Sequence, residues 1–184
     1  MDGQSRRDLF RIAAGAVAIA PLAAAPDAPP KPLFFTPAEF RMVDELSEII
    51  IPADDHSPGA HAAGVAVYID KTLAESFDAE PRIMFRSGLK AVDQLSHELN
   101  SKPFMDVSPE ERVAVVARMA KNEHKPEKPE ERFFRELKGA VAFAYYTSKI
   151  GIHQEMEYKG NTVQVEFSGF DASLVPLPAP ESSK

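Results

Sequence analysis

Apolar side chains recur at the three- and four-residue spacing of an amphipathic helix in five stretches of the chain. The clearest stretch follows Thr36, a residue type that caps helices, with proline next and glutamate three positions later. Phe40, Val43 and Leu46 then fall on one face, and Pro52 ends the run. The pattern predicts a first helix with one buried face.

The same pattern predicts four further helices, over about 61–77, 81–101, 108–122 and 129–148. The last of them is apolar over more than one face in its second half, which is typical of a central helix or of one side of an interface. In the second and third helices, the residues expected to face inward are Val65, Tyr68, Ile69, Leu73, Phe85, Leu89, Val92, Leu95 and Leu99.

Proline, glycine and charged residues mark the connections between these helices. Residues 52–60 are predicted to form a loop, and residues 123–131 a solvated connector. Residues 162–167 alternate between polar and apolar side chains, which allows one short strand or an extended arm. We therefore predict an all-α fold, a small bundle of about five helices over 36–161, with an irregular C-terminal arm and tail over 162–184.

Five residues near the start match the twin-arginine export signal: Ser5, Arg6, Arg7, Leu9 and Phe10. The apolar segment that follows is too short to span a bilayer, and small residues suited to cleavage come after it. We predict a signal peptide over 1–25, a proline-rich linker over 26–35 and delivery to the periplasm by the twin-arginine translocase. An accidental pair of arginines in a cytosolic N-terminus is the less favoured alternative, because basic region, apolar core and small-residue end occur together.

This signal is read by a translocase that moves folded proteins, so the remaining chain should hold a cofactor or bind a protein that holds one. The sequence has no cysteine, which excludes disulfides, thiolate metal sites and the covalent attachment of c-type haem. It also has no glycine-rich dinucleotide-binding turn and no phosphate-binding loop. We therefore expect this chain to have no cofactor of its own.

The formal net charge of the 184-residue chain is −7. Residues 1–25 contain three arginines and two aspartates, so the chain without them carries −8. A protein this acidic, with no long basic run, is a poor nucleic-acid binder.

The best candidate for a metal site is the group of Asp54, Asp55, His56 and His61, because carboxylates and imidazoles suit a divalent cation. The two histidines are five positions apart across a Pro-Gly pair, not the four positions that place two ligands on one helix face. We favour the alternative in which an aspartate caps a turn of the loop.

Tyr145 and Tyr146 lie near the end of the fifth predicted helix. Adjacent aromatic residues cannot both face one core, so one of them should point outward, and tyrosine is enriched at protein interfaces. The core and interface interpretations of this segment are equally favoured. His153 is the one histidine that we keep as a candidate contact residue, although a structural role is favoured for it too.

Five segments in combination resemble the gluconate 2-dehydrogenase subunit 3 family. They are Ser-Arg-Arg-Asp-Leu-Phe-Arg at 5–11, Phe-Thr-Pro-Ala-Glu at 35–39, Ile-Ile-Ile-Pro-Ala-Asp-Asp-His-Ser-Pro-Gly-Ala at 49–60, Tyr-Tyr-Thr-Ser-Lys-Ile-Gly at 145–151 and Tyr-Lys-Gly-Asn at 158–161. The resemblance ends near Asn161, after which the chain lacks the Gly-Cys type of ending found in many relatives.

The resemblance implies a small, non-catalytic subunit of membrane-associated dehydrogenases that oxidise sugars, sugar acids or glycosides. In such complexes a large subunit of the glucose–methanol–choline oxidoreductase type holds FAD and oxidises the substrate, and a multihaem cytochrome c subunit commonly passes electrons onward. The small subunit carries the export signal for the large one and is needed for its maturation. FAD and haem c are therefore expected in partner subunits.

No catalytic residue is implied for this chain. The resemblance implies structural and partner-facing roles for Pro52, Asp54, Asp55, Pro58, Gly59, Tyr145, Tyr146, Ser148, Gly151, Tyr158 and Gly160. Together with His153, kept above as a candidate contact, these are the twelve residues that we propose for a partner interface. Two alternatives stay open: a free-standing periplasmic helical protein that acts in binding or as a scaffold, and a metal-dependent enzyme built on the loop of residues 52–60.

Overall fold

A computed structural model describes residues 31–160 of the chain. Over this range it contains five α-helices and no strand. The α-helices are α1 (Pro37–Ile50), α2 (Val65–Glu75), α3 (Ala79–Asn100), α4 (Pro109–Ala120) and α5 (Pro129–Tyr146), with a 3₁₀ turn at Phe104–Asp106 and a π-helical turn at Gly151–Glu155. The prediction of a helical fold with five α-helices is confirmed for these residues.

Several predictions fall outside the described residues. They are the signal peptide over 1–25, the linker up to residue 30, the strand or arm over 162–167 and the tail to residue 184. Among the helices of the described range, none is long and apolar enough to cross a membrane.

Two helix starts follow directly from the sequence. The Thr36 hydroxyl accepts a hydrogen bond from the backbone N–H of Glu39 at 3.2 Å, and the Glu39 carboxylate accepts one from the N–H of Thr36 at 2.8 Å. Ser108 and Glu111 make the same reciprocal pair at the start of α4. Each pair satisfies two donors that would otherwise lack partners, so these boundaries are set by local chemistry.

Helix α5 packs against α1, α2, α3 and α4, so its interpretation as the central helix is confirmed. Leu137 and Val141 on α5 are fully buried. Where α3 crosses α5, Gly88 lies directly against the ring of Phe133, and a side chain at position 88 would overlap that ring. The close approach of the two helices therefore depends on glycine at this position.

Two residues predicted to face inward are exposed. Tyr68 keeps 44% of its surface accessible, because Val65, Ile69 and Leu73 form the buried face of α2 and Tyr68 lies beside it. Leu99 is 51% exposed, because burial along α3 ends at Ser96 and the last turn of the helix is not covered. Both predictions were wrong for the same reason, since helical spacing alone does not show how wide or how long the covered face is.

Helix α2 begins at Val65 and not near residue 61 as predicted. Gly64 precedes it with a φ of 67°, in the left-handed region that favours glycine. The residues from 61 to 64 are turns that lead out of the loop, so the loop and α2 are separated by this glycine.

The buried carboxylate of Asp70 on α2 holds the segment that enters α1. Its two oxygens accept hydrogen bonds from three consecutive backbone N–H groups, those of Leu33 at 2.6 Å, Phe34 at 3.0 Å and Phe35 at 2.9 Å. The side chain of Phe35 is buried beside the ring of Phe85. The last residues of the predicted linker therefore pack as part of the helical unit.

We expect Asp70→Ala to lower the free energy of unfolding by about 2–4 kcal/mol, because the substitution leaves three backbone donors without their acceptor. Chemical denaturation followed by circular dichroism measures this change. The matched control is Asp78→Ala, since Asp78 precedes α3 without making a side-chain capping bond, and its cost should stay below about 1 kcal/mol. Equal losses for the two variants would contradict the anchoring role of Asp70.

A second buried carboxylate, that of Glu131, organises the start of α5. It accepts hydrogen bonds from the backbone N–H groups of Glu127 at 2.9 Å and Lys128 at 3.1 Å, and from the Asn122 amide at 3.2 Å. A guanidinium nitrogen of Arg118 lies 3.5 Å from the Glu131 carboxylate. The pKa of Glu131 is lowered to about 2, mainly by the two hydrogen bonds from the backbone.

Because the pKa of Glu131 is lower in the folded state, its contribution to stability is present above about pH 4.5 and is lost as the pH falls towards 2. We expect Glu131→Gln to be less stable than the wild type at pH 7, and the difference to shrink over this acid range. Urea denaturation at several pH values measures this difference in the free energy of unfolding. Glu136→Gln, at an exposed carboxylate of the same helix, is the control for removing one negative charge from α5.

Candidate partner interface

The carboxylate of one α1 residue attaches the loop of residues 52–60 to that helix. Glu48 accepts hydrogen bonds from the backbone N–H of Ala53 at 3.1 Å and of His61 at 2.7 Å, so it joins the two ends of the loop. Gly59 packs against this carboxylate and the Ala53 backbone so closely that a Cβ at position 59 would overlap them. The loop is therefore built on the side of α1, with glycine required at the point of contact.

Inside the loop, Asp54 forms the turn that the sequence predicts. Its carboxylate accepts hydrogen bonds from the backbone N–H groups of His56 at 2.9 Å and Ser57 at 2.8 Å. The bond from Ser57 and then that from His56 lower the pKa of Asp54. The interpretation of Asp54 as a turn-capping residue is confirmed.

Tyr145 of α5 joins this loop to the central helix. Its hydroxyl is hydrogen-bonded to the Ser57 hydroxyl and donates to the Pro58 carbonyl at 3.2 Å. Tyr145 and Ser57 are both buried. Two segments that the sequence analysis singled out separately, 88 positions apart, are thus one structural unit.

The chain after α5 turns back tightly against the same unit. The N–H of Gly151 donates to the Ser148 hydroxyl at 3.0 Å, and Gly151 lies directly against the carbonyl of Tyr145. A Cβ at position 151 would overlap that carbonyl. Gly151 and Ser148 therefore have structural roles in this turn.

His56 makes the contact between the loop and the segment after α5. Its Nε2 lies 3.0 Å from the backbone carbonyl oxygen of Glu155. This hydrogen bond is the main reason that the pKa of His56 is raised. His153 is exposed, and within the described range no hydrogen bond or ion pair of its side chain is found. His153 stays a candidate contact residue for a partner, whereas His56 makes this contact within the chain.

The candidate metal ligands do not converge. The Nδ1 of His61 lies 2.9 Å from the Asp44 carboxylate of α1. Burial is the largest single effect on the pKa of His61 and lowers it, but the hydrogen bond to Asp44 and the charges of Asp44, Glu48 and Glu45 together raise the pKa. His56 points to the Glu155 carbonyl and Asp54 to the loop backbone. Among residues 31–160, no group of three or more histidine or carboxylate side chains is arranged to hold a metal ion.

The twelve residues proposed for the interface divide into three sets by their exposure. Three of them are buried and belong to the joint between loop and helix: Gly59, Tyr145 and Gly151. Pro58 and Ser148 are half-buried. The side chains or backbone still accessible to another protein are those of Pro52, Asp54, Asp55, Tyr146, His153, Tyr158 and Gly160. As expected, one of the two adjacent tyrosines faces inward and the other outward.

Sequence reasoning missed an apolar groove between α2, α3 and α5, with a volume of about 280 Å³. Its walls are formed by Tyr68, Ile69, Thr72, Leu73, Pro81, Phe85, Ala140 and Phe143. The rings of Tyr68 and Phe143 are in contact at one side, with centroids 6.1 Å apart, and Phe143 is 60% exposed. The signal in the sequence is the excess of apolar residues over one buried face in the second half of α5, for which the core and interface interpretations are equally favoured, whereas Tyr68 is predicted to face inward.

We expect Tyr145→Phe to lower the free energy of unfolding by about 1–2 kcal/mol, because Ser57 and the Pro58 carbonyl lose a buried partner. Amide hydrogen exchange should also become faster in residues 52–60. Tyr146→Phe is the matched control, since Tyr146 is exposed and its ring contacts that of Tyr145 without a hydroxyl bond among the described residues. If the rate of amide hydrogen exchange in residues 52–60 were unchanged in Tyr145→Phe, the Tyr145 hydroxyl would not be holding the loop against α5.

Comparison with known proteins gives one result. A family model described as Gluconate 2-dehydrogenase subunit 3 matches residues 37–163, which is more than half of the 184-residue chain. Searches of curated proteins and of solved structures gave no match. The matched range includes all five helices, the loop of residues 52–60 and the turn after α5. The chain belongs to the gluconate 2-dehydrogenase subunit 3 family.

Proposed function

We propose that this chain is a non-catalytic accessory subunit that binds an FAD-containing dehydrogenase subunit of the glucose–methanol–choline type. The family match over residues 37–163 carries the proposal, because the family is named as a subunit of a dehydrogenase. The partner subunit holds the FAD and oxidises a sugar, sugar acid or glycoside. This chain supplies a folded surface on which that partner matures.

The exposed side chains are consistent with a binding role. Tyr68, Phe143 and Tyr146 are large aromatic residues that remain accessible on α2 and α5. Large apolar side chains that lie together at a surface mark interaction sites, and tyrosine is enriched among the residues that dominate binding energy. In the loop, by contrast, the side chains of Asp54, His56 and Ser57 form hydrogen bonds within the chain.

The proposal includes export of the pair. The twin-arginine sequence at Arg6 and Arg7 belongs to this chain, and the translocase accepts folded cargo, so a bound flavoprotein would cross with it. In the periplasm the complex would pass electrons to a cytochrome c subunit and be associated with the membrane through its other subunits.

Co-expression with a flavoprotein dehydrogenase subunit of the same host, followed by cell fractionation, tests this function. We expect a yellow complex in the periplasm, and retention of the flavoprotein in the cytoplasm when Arg6→Lys and Arg7→Lys are combined. Arg11→Lys is the matched control, because Arg11 lies outside the arginine pair, and it should leave export unchanged.

Two results would overturn parts of the proposal. Flavoprotein in the periplasm despite the double lysine variant would remove the escort role. A chain that purifies alone and binds no flavoprotein would instead favour the alternative of a free-standing binding or scaffold protein.

A further inference from the structure

Two histidines connect the loop of residues 52–60 and its exit to separate parts of the fold. His56, inside the loop, faces the segment after α5, with its Nε2 3.0 Å from the backbone carbonyl oxygen of Glu155. His61, directly after the loop, faces α1, with its Nδ1 2.9 Å from the Asp44 carboxylate. Among residues 31–160 no metal-binding group includes either of them. Each histidine therefore titrates against its own contact.

Both contacts require a hydrogen on the histidine nitrogen. A carbonyl oxygen and an ionised carboxylate can only accept hydrogen bonds, so Nε2 of His56 and Nδ1 of His61 are the donors. A neutral imidazole carries one N–H and can make each bond in one tautomer, whereas the protonated ring carries two and adds a positive charge. A charged donor makes the stronger hydrogen bond. Each contact is thus possible in both protonation states and stronger in the protonated one.

The charged groups around His56 are mostly carboxylates. They are Asp54 of the loop and Glu155 and Glu157 of the segment after α5, with the ammonium group of Lys159 4.0 Å from Glu157. The hydrogen bond to the Glu155 carbonyl is the main reason that the pKa of His56 is raised, and the three carboxylates raise it further against the effect of burial. The protonated ring is therefore the form that this surrounding favours.

The charged groups around His61 belong to α1. They are Asp44, Glu45 and Glu48, and Arg112 of α4 is paired with Glu45 at 2.9 Å. Burial alone would lower the pKa of His61, but the bond to Asp44 and the three negative charges together raise it. This second ring also favours the protonated form, although it faces a different element of the fold.

The segment that His56 contacts has an unfavourable backbone conformation. Glu157 has a φ of 46°, in the left-handed region that is costly for a residue with a side chain. The N–H of Tyr158 donates to the Ile152 carbonyl at 3.0 Å, a bond within the segment itself. The bond from His56, by contrast, comes from a residue 99 positions away in the chain. The position of this segment against the loop therefore depends on His56.

We propose that protonation of His56 and His61 fastens the loop of residues 52–60 to the segment after α5 and to α1, so that local opening of this surface is less frequent in acid than above neutral pH. The inference goes beyond the proposed function and does not depend on it, because both contacts lie within this chain. Asp55 and Tyr158 of the candidate partner interface lie on the two segments that His56 joins. Protonation thus controls how firmly part of that surface is held.

The direction of the pH dependence follows from the raised pKa of each histidine. When the pKa is higher in the folded state, the contribution to stability is fully present below the unfolded value of about 6.5. It is lost as the pH rises through the folded value. Both side chains are partly accessible to water, so the opening equilibrium should change by roughly two- to fivefold and not by orders of magnitude.

The first test titrates the histidines of the full chain by NMR of their ring protons. We expect the titration midpoints of His56 and His61 to lie above about 6.5. Asp44→Asn should lower the midpoint of His61, because it removes the charge that faces the ring. Asp55→Asn is the matched control, since this loop carboxylate is not hydrogen-bonded to either ring, and it should leave both midpoints unchanged. Wild-type midpoints at or below about 6.5, or an unchanged His61 midpoint in Asp44→Asn, would overturn the proposal.

The second test measures amide hydrogen exchange of the full chain at about pH 5.5 and about pH 8.5, on either side of the usual histidine pKa. Protection factors remove the pH dependence of the intrinsic exchange rate. We expect the protection of residues 52–64 and 151–158 to be roughly two- to fivefold lower at the higher pH, while that of α3 stays constant. Equal protection of the two segments at both pH values would contradict the proposal.

Two substitutions separate the charge from the hydrogen bond. His56→Gln places an amide N–H near the position of Nε2, and His61→Asn places one near Nδ1, so a neutral donor is kept and the charge is lost. The combined variant should show the same protection at both pH values. His153→Gln is the control, because His153 is exposed and has no hydrogen bond or ion pair among the described residues, and it should keep the pH dependence of the wild type.

Persistence of the pH dependence in the combined variant, or its loss in the control, would show that other groups are responsible. If the combined variant does not fold, the wild-type titration and exchange still decide the matter. None of these measurements uses the flavoprotein, so their failure leaves the proposed function unaffected.

Discussion

The buried side chain of Tyr145 is the contact on which the position of the loop of residues 52–60 depends. Its hydroxyl reaches Ser57 and Pro58 in the loop, while the backbone carbonyl of the same residue lies against Gly151 in the turn after α5. Tyr145 therefore contacts two surface segments, the loop through its side chain and the turn through its backbone. Because the hydroxyl is buried, its bonds cannot be replaced by water without opening the core.

Two buried carboxylates and one half-buried carboxylate serve the backbone in the part of the chain that the structure describes. Asp70 holds the three N–H groups that precede α1, Glu131 holds those that precede α5, and Glu48 joins the two ends of the loop. Each carboxylate is occupied by donors of its own chain, so none of the three is free for chemistry. The apolar groups show the opposite pattern, since Tyr68 and Phe143 remain exposed beside a groove. This combination is what an accessory subunit requires: a firm scaffold and an uncovered apolar surface.

Much of the helical layout could be predicted because its signals are local. The capping pairs at Thr36 and Ser108 and the role of Asp54 in the loop depend on residues within three positions of each other. The exposure of Tyr68 and Leu99 could not be predicted in this way. Whether an apolar residue beside the buried face is covered depends on the neighbouring helices, and spacing within one helix contains no information about them.

The sequence by itself determined the five helices, the loop, the expectation that one of two adjacent tyrosines faces outward, and the resemblance to the family. Only the tertiary structure decided which tyrosine is inside, that His56 contacts the segment after α5, and that three helices leave a groove between them. These features join residues far apart in the chain, such as Ser57 with Tyr145 and Phe35 with Asp70. Local chemistry sets where a helix begins, but packing between distant segments decides what each face meets.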